Sequence, residues 1–84
     1  MDSNLYKKAY FLSRRGLQEL DLVLTPFVEV RFSELNQEDK VSFLELLENN
    51  DMDLMDWIIN GKPTPKEFNN IVIQVKDYLK HERQ

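Results

Sequence analysis

Apolar residues along this chain recur at spacings of three and four, the period of an amphipathic helix. Strict alternation is rare, and only Phe27-Val28-Glu29-Val30-Arg31-Phe32 hints at a strand. The pattern predicts a first helix over about 3–14, with Leu5, Ala9 and Leu12 on one face and Tyr6 and Tyr10 beside them. Arg14 and Arg15 then stand where a helix C-terminus favours positive charge, and Gly16 follows as a terminating residue. A second helix starts at Gly16 or Leu17 and carries Leu17, Leu20, Leu24, Phe27 and Val28 as its stripe. Pro26 falls inside it and is expected to kink the helix near Leu22, or to end it and start a new turn.

A third helix is predicted over 37–48, with Asn36 as N-cap and Val41, Phe43, Leu44, Leu46 and Leu47 forming its apolar side. A short fourth covers about 52–59, capped by Asp51 and ended by Gly61, with Leu54, Ile58 and Trp57 facing inward. Thr64-Pro65-Lys66-Glu67 has the form of a capping box with proline at the first helical position. It opens a fifth helix in which Phe68, Ile71, Val72, Val75, Tyr78 and Leu79 repeat, closed by Lys80, His81 and Arg83. The expectation is an all-α fold, a compact five-helix bundle, with 1–84 as a single helical domain.

Composition narrows the function classes. A chain of 84 residues has a marginal core, and with no cysteine it has neither disulfide nor thiolate zinc site to staple it. Stability must come from helix packing or from a partner. No signal-peptide pattern occupies Met1–Lys8, and no apolar run approaches the roughly 18 residues of a membrane span. A cytoplasmic protein without membrane insertion is expected. The net charge is −4, and residues 34–56 hold eight acidic side chains against the single Lys40. Phosphate backbones would repel that stretch, so nucleic acid is not an expected partner.

Catalytic constellations are also missing. None of Ser3, Ser13, Ser33 and Ser42 sits in a strand–turn–helix elbow, and the only histidine, His81, reads as a helix-end cation. Asp51, Asp53 and Asp56 suggest a calcium loop, but its turn glycine is absent and Lys62 stands where a closing glutamate belongs. Two isolated glycines cannot build a phosphate cradle. The chain is therefore expected not to be an enzyme, to hold no metal and to carry no cofactor of its own.

What remains is Arg14-Arg15-Gly16-Leu17-Gln18-Glu19. Locally it is a helix stop, a short turn and a helix start, with charges on the sides the helix dipoles favour. The same geometry leaves the Gly16 backbone uncovered by a side chain, so a second chain can approach it closely. Arg15 and Glu19 flank that gap with opposite charges.

Arg15-Gly16-Leu17-Gln18-Glu19 matches the RGxxE signature of the SdhE family of succinate dehydrogenase flavinylation factors, formerly regarded as the antitoxin CptB. The resemblance continues through Leu20-Asp21, Leu24-Thr25-Pro26-Phe27, Leu46-Leu47-Glu48, Asp51, Asp53-Leu54, Trp57 and Asn60-Gly61-Lys62-Pro63, nearly the whole chain. It implies a five-helix protein whose partner is the flavoprotein subunit of succinate dehydrogenase, and in some bacteria that of fumarate reductase. It implies that the partner carries the FAD and that the small protein assists its covalent attachment. Arg15, Gly16 and Glu19 are the implied contact residues, with Arg14, Asp21, Pro26 and Phe27 as secondary ones. An antitoxin-like binder using the same surface on another protein is the alternative.

Overall fold

The computed structural model describes residues 2–82. Five α-helices occur among them: α1 (Asp2–Ser13), α2 (Gln18–Arg31), α3 (Gln37–Leu46), α4 (Asp51–Leu54) and α5 (Asn69–Glu82). A 3-10 turn at Phe32–Glu34 follows α2, a π-helical turn at Met55–Ile59 extends α4, and a 3-10 turn at Lys66–Phe68 leads into α5. No strand occurs among the described residues, so the alternation at 27–32 belongs to the end of α2 and its 3-10 turn. Arg83, expected to close the last helix, lies outside the described residues.

The core is aromatic at its centre. Phe27 of α2 packs on Phe43 of α3 at 5.2 Å between ring centroids and meets Tyr78 of α5 edge-on at 5.8 Å. Phe32 continues the cluster to Phe43 at 5.8 Å and to Tyr6 of α1 at 6.4 Å. Four helices thus share one cluster, to which Leu20, Leu24, Val28, Leu46, Leu54, Ile71, Val72 and Val75 add fully buried aliphatic groups. Trp57 is half-buried against Phe68 at 6.1 Å, so it anchors the π-helical turn to the start of the last helical segment.

Pro26 does not end α2, which runs unbroken to Arg31. An interior proline costs about 3 kcal/mol, partly because the carbonyl four residues back loses its donor. That carbonyl belongs to Leu22, whose residue is 49% exposed, so water can replace the bond. Phe27 and Val28 follow immediately and are fully buried. Burying two such side chains contributes roughly 3–6 kcal/mol, enough to outweigh the proline.

Two helix starts also differ from expectation. The N-cap of α4 is Asn50, whose side chain accepts from the Asp53 backbone N–H at 2.8 Å, and Asp51 is left for another partner. Pro65 is extended (φ −54°, ψ 145°) and precedes the 3-10 turn without a side-chain cap, so the expected capping box does not form. The Asn36 cap on α3 is present, accepting from Asp39 N–H at 2.8 Å.

Polar ties fix the helices sideways. Asp39 accepts from Asn70 (3.2 Å) and Gln74 (2.9 Å), holding α3 to α5. Ser13 is fully buried and donates its single hydroxyl proton to the Tyr10 carbonyl at 2.7 Å. Its 3.0 Å contact with the Thr25 hydroxyl is then donated by Thr25, which joins α1 to α2 just below the turn at Gly16.

Candidate functional site

The α1–α2 junction is built by closing off helix ends. The last carbonyls of α1 have no intrahelical donors. Tyr10 O is taken by the Ser13 hydroxyl, Phe11 O by Arg14 N–H (3.3 Å), and Leu12 O by the Arg15 guanidinium (3.1 Å). Gly16 then turns the chain with φ +79°, the left-handed region that costs other residues about 1–2 kcal/mol. Leu17 is extended (φ −114°, ψ 113°), and its carbonyl accepts from Leu20 and Asp21 as α2 begins.

Asp21 secures the turn from the α2 side. One of its carboxylate oxygens accepts from Arg15 N–H at 2.7 Å, and the other accepts from Gly16 N–H at 3.2 Å. A negative charge in the first turn of a helix is also favoured by the dipole. Asp21 is therefore half-buried and committed to the backbone of the motif.

Arg15 secures it from the opposite side. Its Nε donates to Asp51 Oδ1 at 2.8 Å, Nη1 to Leu12 O at 3.1 Å and Leu47 O at 2.7 Å, and Nη2 to Asn49 O at 2.8 Å. Four of its five N–H groups are thus in use, and its side chain is only 16% exposed. The cation sits where the C-terminal carbonyls of α1 and the turn after α3 converge, beside a carboxylate at the start of α4. One planar fork joins three helix ends, a task suited to guanidinium geometry.

Glu19 contrasts with both. It is exposed in the first turn of α2 and makes no hydrogen bond or ion pair among the described residues. Arg15 and Glu19 therefore do not pair across Gly16. Gly16 is itself exposed, and a Cβ built on it would meet no atom within 4 Å. An uncovered backbone and a free carboxylate face solvent three residues apart.

The secondary residues separate. Arg14 is exposed, its guanidinium 5.9 Å from the Tyr10 ring centre. Pro26 is half-buried further along α2, and Phe27, 1% exposed at the centre of the core, offers a partner no surface. Asp51 is brought to the motif from 36 residues away, a placement no local pattern could announce.

Other groupings are less organised. Asp51, Asp53 and Asp56 do not converge, and among the described residues no three His, Asp or Glu side chains are placed to hold a metal ion. No helix among them is long and apolar enough to cross a membrane. Two shallow grooves flank α5 and α3. One is lined by Arg31, Glu34 and Asp77, the other by Glu38, Asp39, Glu45 and Glu67. Their carboxylates would repel the diphosphate of a dinucleotide.

Residues 7–79 match the family model described as flavinator of succinate dehydrogenase. The chain belongs to that family. Among its relatives, the FAD assembly factor SdhE of Pseudomonas aeruginosa is 36% identical over 77 residues, covering 90% of this chain and 92% of the relative. That of Pectobacterium atrosepticum is 34% identical over 73 residues, covering 86% and 83% respectively. That of Serratia sp. is 36% identical over 73 residues with the same coverage. In this family member the RGxxE residues are a clamp (Arg15), a turn (Gly16) and a free acid (Glu19).

Proposed function

We propose that this protein binds the flavoprotein subunit of succinate dehydrogenase in the cytoplasm and promotes covalent attachment of FAD to it, with Gly16 and Glu19 as the contact. The observation that supports this most is an exposed, side-chain-free backbone at Gly16 beside an unpartnered carboxylate at Glu19, both on a turn held rigid by Asp21 and Arg15. A surface locked before binding loses less entropy on docking. Gly16 admits close approach of the client backbone, and Glu19 offers a charge or hydrogen-bond acceptor to a cationic or donor group on it.

In this proposal the small protein holds a competent conformation of its client. FAD is bound by the client, where the bond to the flavin forms, and no group of this chain takes part in that chemistry. Arg15 and Asp21 shape the contact, Arg14 lies at its edge, and Pro26 and Phe27 support α2 from within. The flavoprotein of fumarate reductase is a second candidate client.

Glu19→Ala, which removes both the charge and the acceptor, tests the proposal. The residue is exposed and unpaired, so the variant should melt as the wild type does. Flavin fluorescence retained by the denatured flavoprotein subunit should fall to the level of cells lacking this protein. Full covalent flavin in cells relying on the variant would overturn the assignment of Glu19. Full covalent flavin in cells lacking the protein altogether would overturn the function.

A further inference from the structure

We propose that Asp51 is a positioning residue for the docking turn, and that Arg15 serves the partner by carrying the hold of Asp51 to Gly16 and Glu19 rather than by touching the partner itself. This rests on the docking function proposed above.

Arg15 has one N–H left after its four internal bonds. A bidentate contact with a partner carboxylate would require it to release at least one of them. Asp51, in turn, is not spent on its own helix. Asn50 provides the cap of α4, so the Asp51 carboxylate is available to reach sideways to Arg15 Nε. The two carboxylates act on one short segment from opposite sides. Asp21 grips the backbone N–H groups of Arg15 and Gly16 from α2, while Asp51 holds the side chain of Arg15 from α4.

Geometry makes Asp51 more than one bond among four. The carbonyls of Leu12, Leu47 and Asn49 all take Nη donors at the tip of the guanidinium, and all three are neutral acceptors. The Nε bond to Asp51 is the one made on the stem side of the fork, nearest the Arg15 main chain that leads into Gly16, and the one made to a charged acceptor. The Asp51 side chain is 44% exposed, so water can enter where it stood and reach Arg15 Nε, while the guanidinium keeps its three carbonyl acceptors. The fold should survive while the turn loosens.

The test uses purified full-length protein, the apo-flavoprotein subunit and FAD, with covalent flavin measured against concentration of the small protein. Asp51→Ala should raise the concentration giving half-maximal attachment about five- to ten-fold, the scale of one charge-assisted hydrogen bond converted to affinity. Asp51→Asn, which keeps an acceptor for Nε, should recover part of the loss. Arg15→Lys should not recover the loss of Arg15→Ala, because an ammonium cannot span the four acceptors. The double variant Arg15→Ala/Asp51→Ala should be no worse than Arg15→Ala alone. Amide hydrogen exchange of the free protein should quicken at residues 15–19 in Asp51→Ala and stay unchanged in α3 and α5.

Superposable titration curves with unchanged exchange would overturn the role of Asp51 while leaving the docking function intact. So would rescue by Arg15→Lys, or additive losses in the double variant, since either would place the Arg15 charge on the partner. A wild-type protein that does not stimulate attachment would overturn the docking function and the proposal resting on it. Exchange would still report, independently, whether Asp51 orders the turn.

Discussion

Replacing Arg15 with alanine should cost this small protein a large share of its stability, although the residue lies in a connecting turn. The variant removes four hydrogen bonds from a cation, to Leu12 O, Leu47 O, Asn49 O and Asp51. Hydrogen bonds to charged groups contribute roughly 1.5–3 kcal/mol each when well buried, which would give about 6–12 kcal/mol. Three effects reduce that. Asp51 is 44% exposed and rehydrates. The carbonyls lie at helix ends, where water can enter the space the side chain leaves. The unfolded chain also no longer gives up about 2 kcal/mol of arginine rotamer freedom on folding. A net loss of about 2–3 kcal/mol follows, and at about 4–8 °C per kcal/mol for a domain of this size the melting temperature should fall by roughly 10–20 °C. Thermal unfolding followed by circular dichroism measures it directly, with Glu19→Ala as the exposed control from the same motif. An Arg15→Ala melt within about 3 °C of wild type would refute the clamp and return the side chain to the surface.

Two further outcomes separate the remaining motif residues. Gly16→Ala should lose about 1–2 kcal/mol through its positive φ alone, since no atom crowds the new Cβ, and Gly16→Asn should lose less because asparagine tolerates that region better; equal losses in urea titrations would contradict this account. Phe27→Ala should lose about 3–5 kcal/mol and impair client flavinylation only by unfolding the protein, so a well-folded Phe27→Ala that failed to support attachment would move that residue back to the contact surface.

Most of the helices were readable from periodicity, because each buries one stripe against a shared core and the spacing of apolar residues reports that directly. The failures lie where two local rules compete. Pro26 argues for a helix end by its missing N–H, and only the burial of Phe27 and Val28 shows why α2 continues. Asn50 and Asp51 are both good caps by residue type, and residue type alone does not say that Asn50 caps α4 while Asp51 reaches across to Arg15. Thr64-Pro65 has the letters of a capping box, but the extended Pro65 delays the helix by way of a 3-10 turn. Local preference carries no record of a partner 36 residues away, which is why the fate of Arg15 could not be read from its neighbours.

The motif thereby divides along a physical line that its five letters conceal. Arginine and glutamate on either side of a glycine suggest a charge pair, and in a continuous helix they would be one. The left-handed turn at Gly16 breaks that helix and sends the two side chains to different tasks. The Arg15 charge is consumed inside the protein, against helix C-termini and Asp51, whereas the Glu19 charge has nothing inside to meet it. Folding therefore uses the cation, and under the proposed function the anion is left for the partner. Loss of either should impair client flavinylation, but loss of Arg15 should do so together with stability and loss of Glu19 without it. That separation distinguishes a residue that builds a docking surface from one that belongs to it.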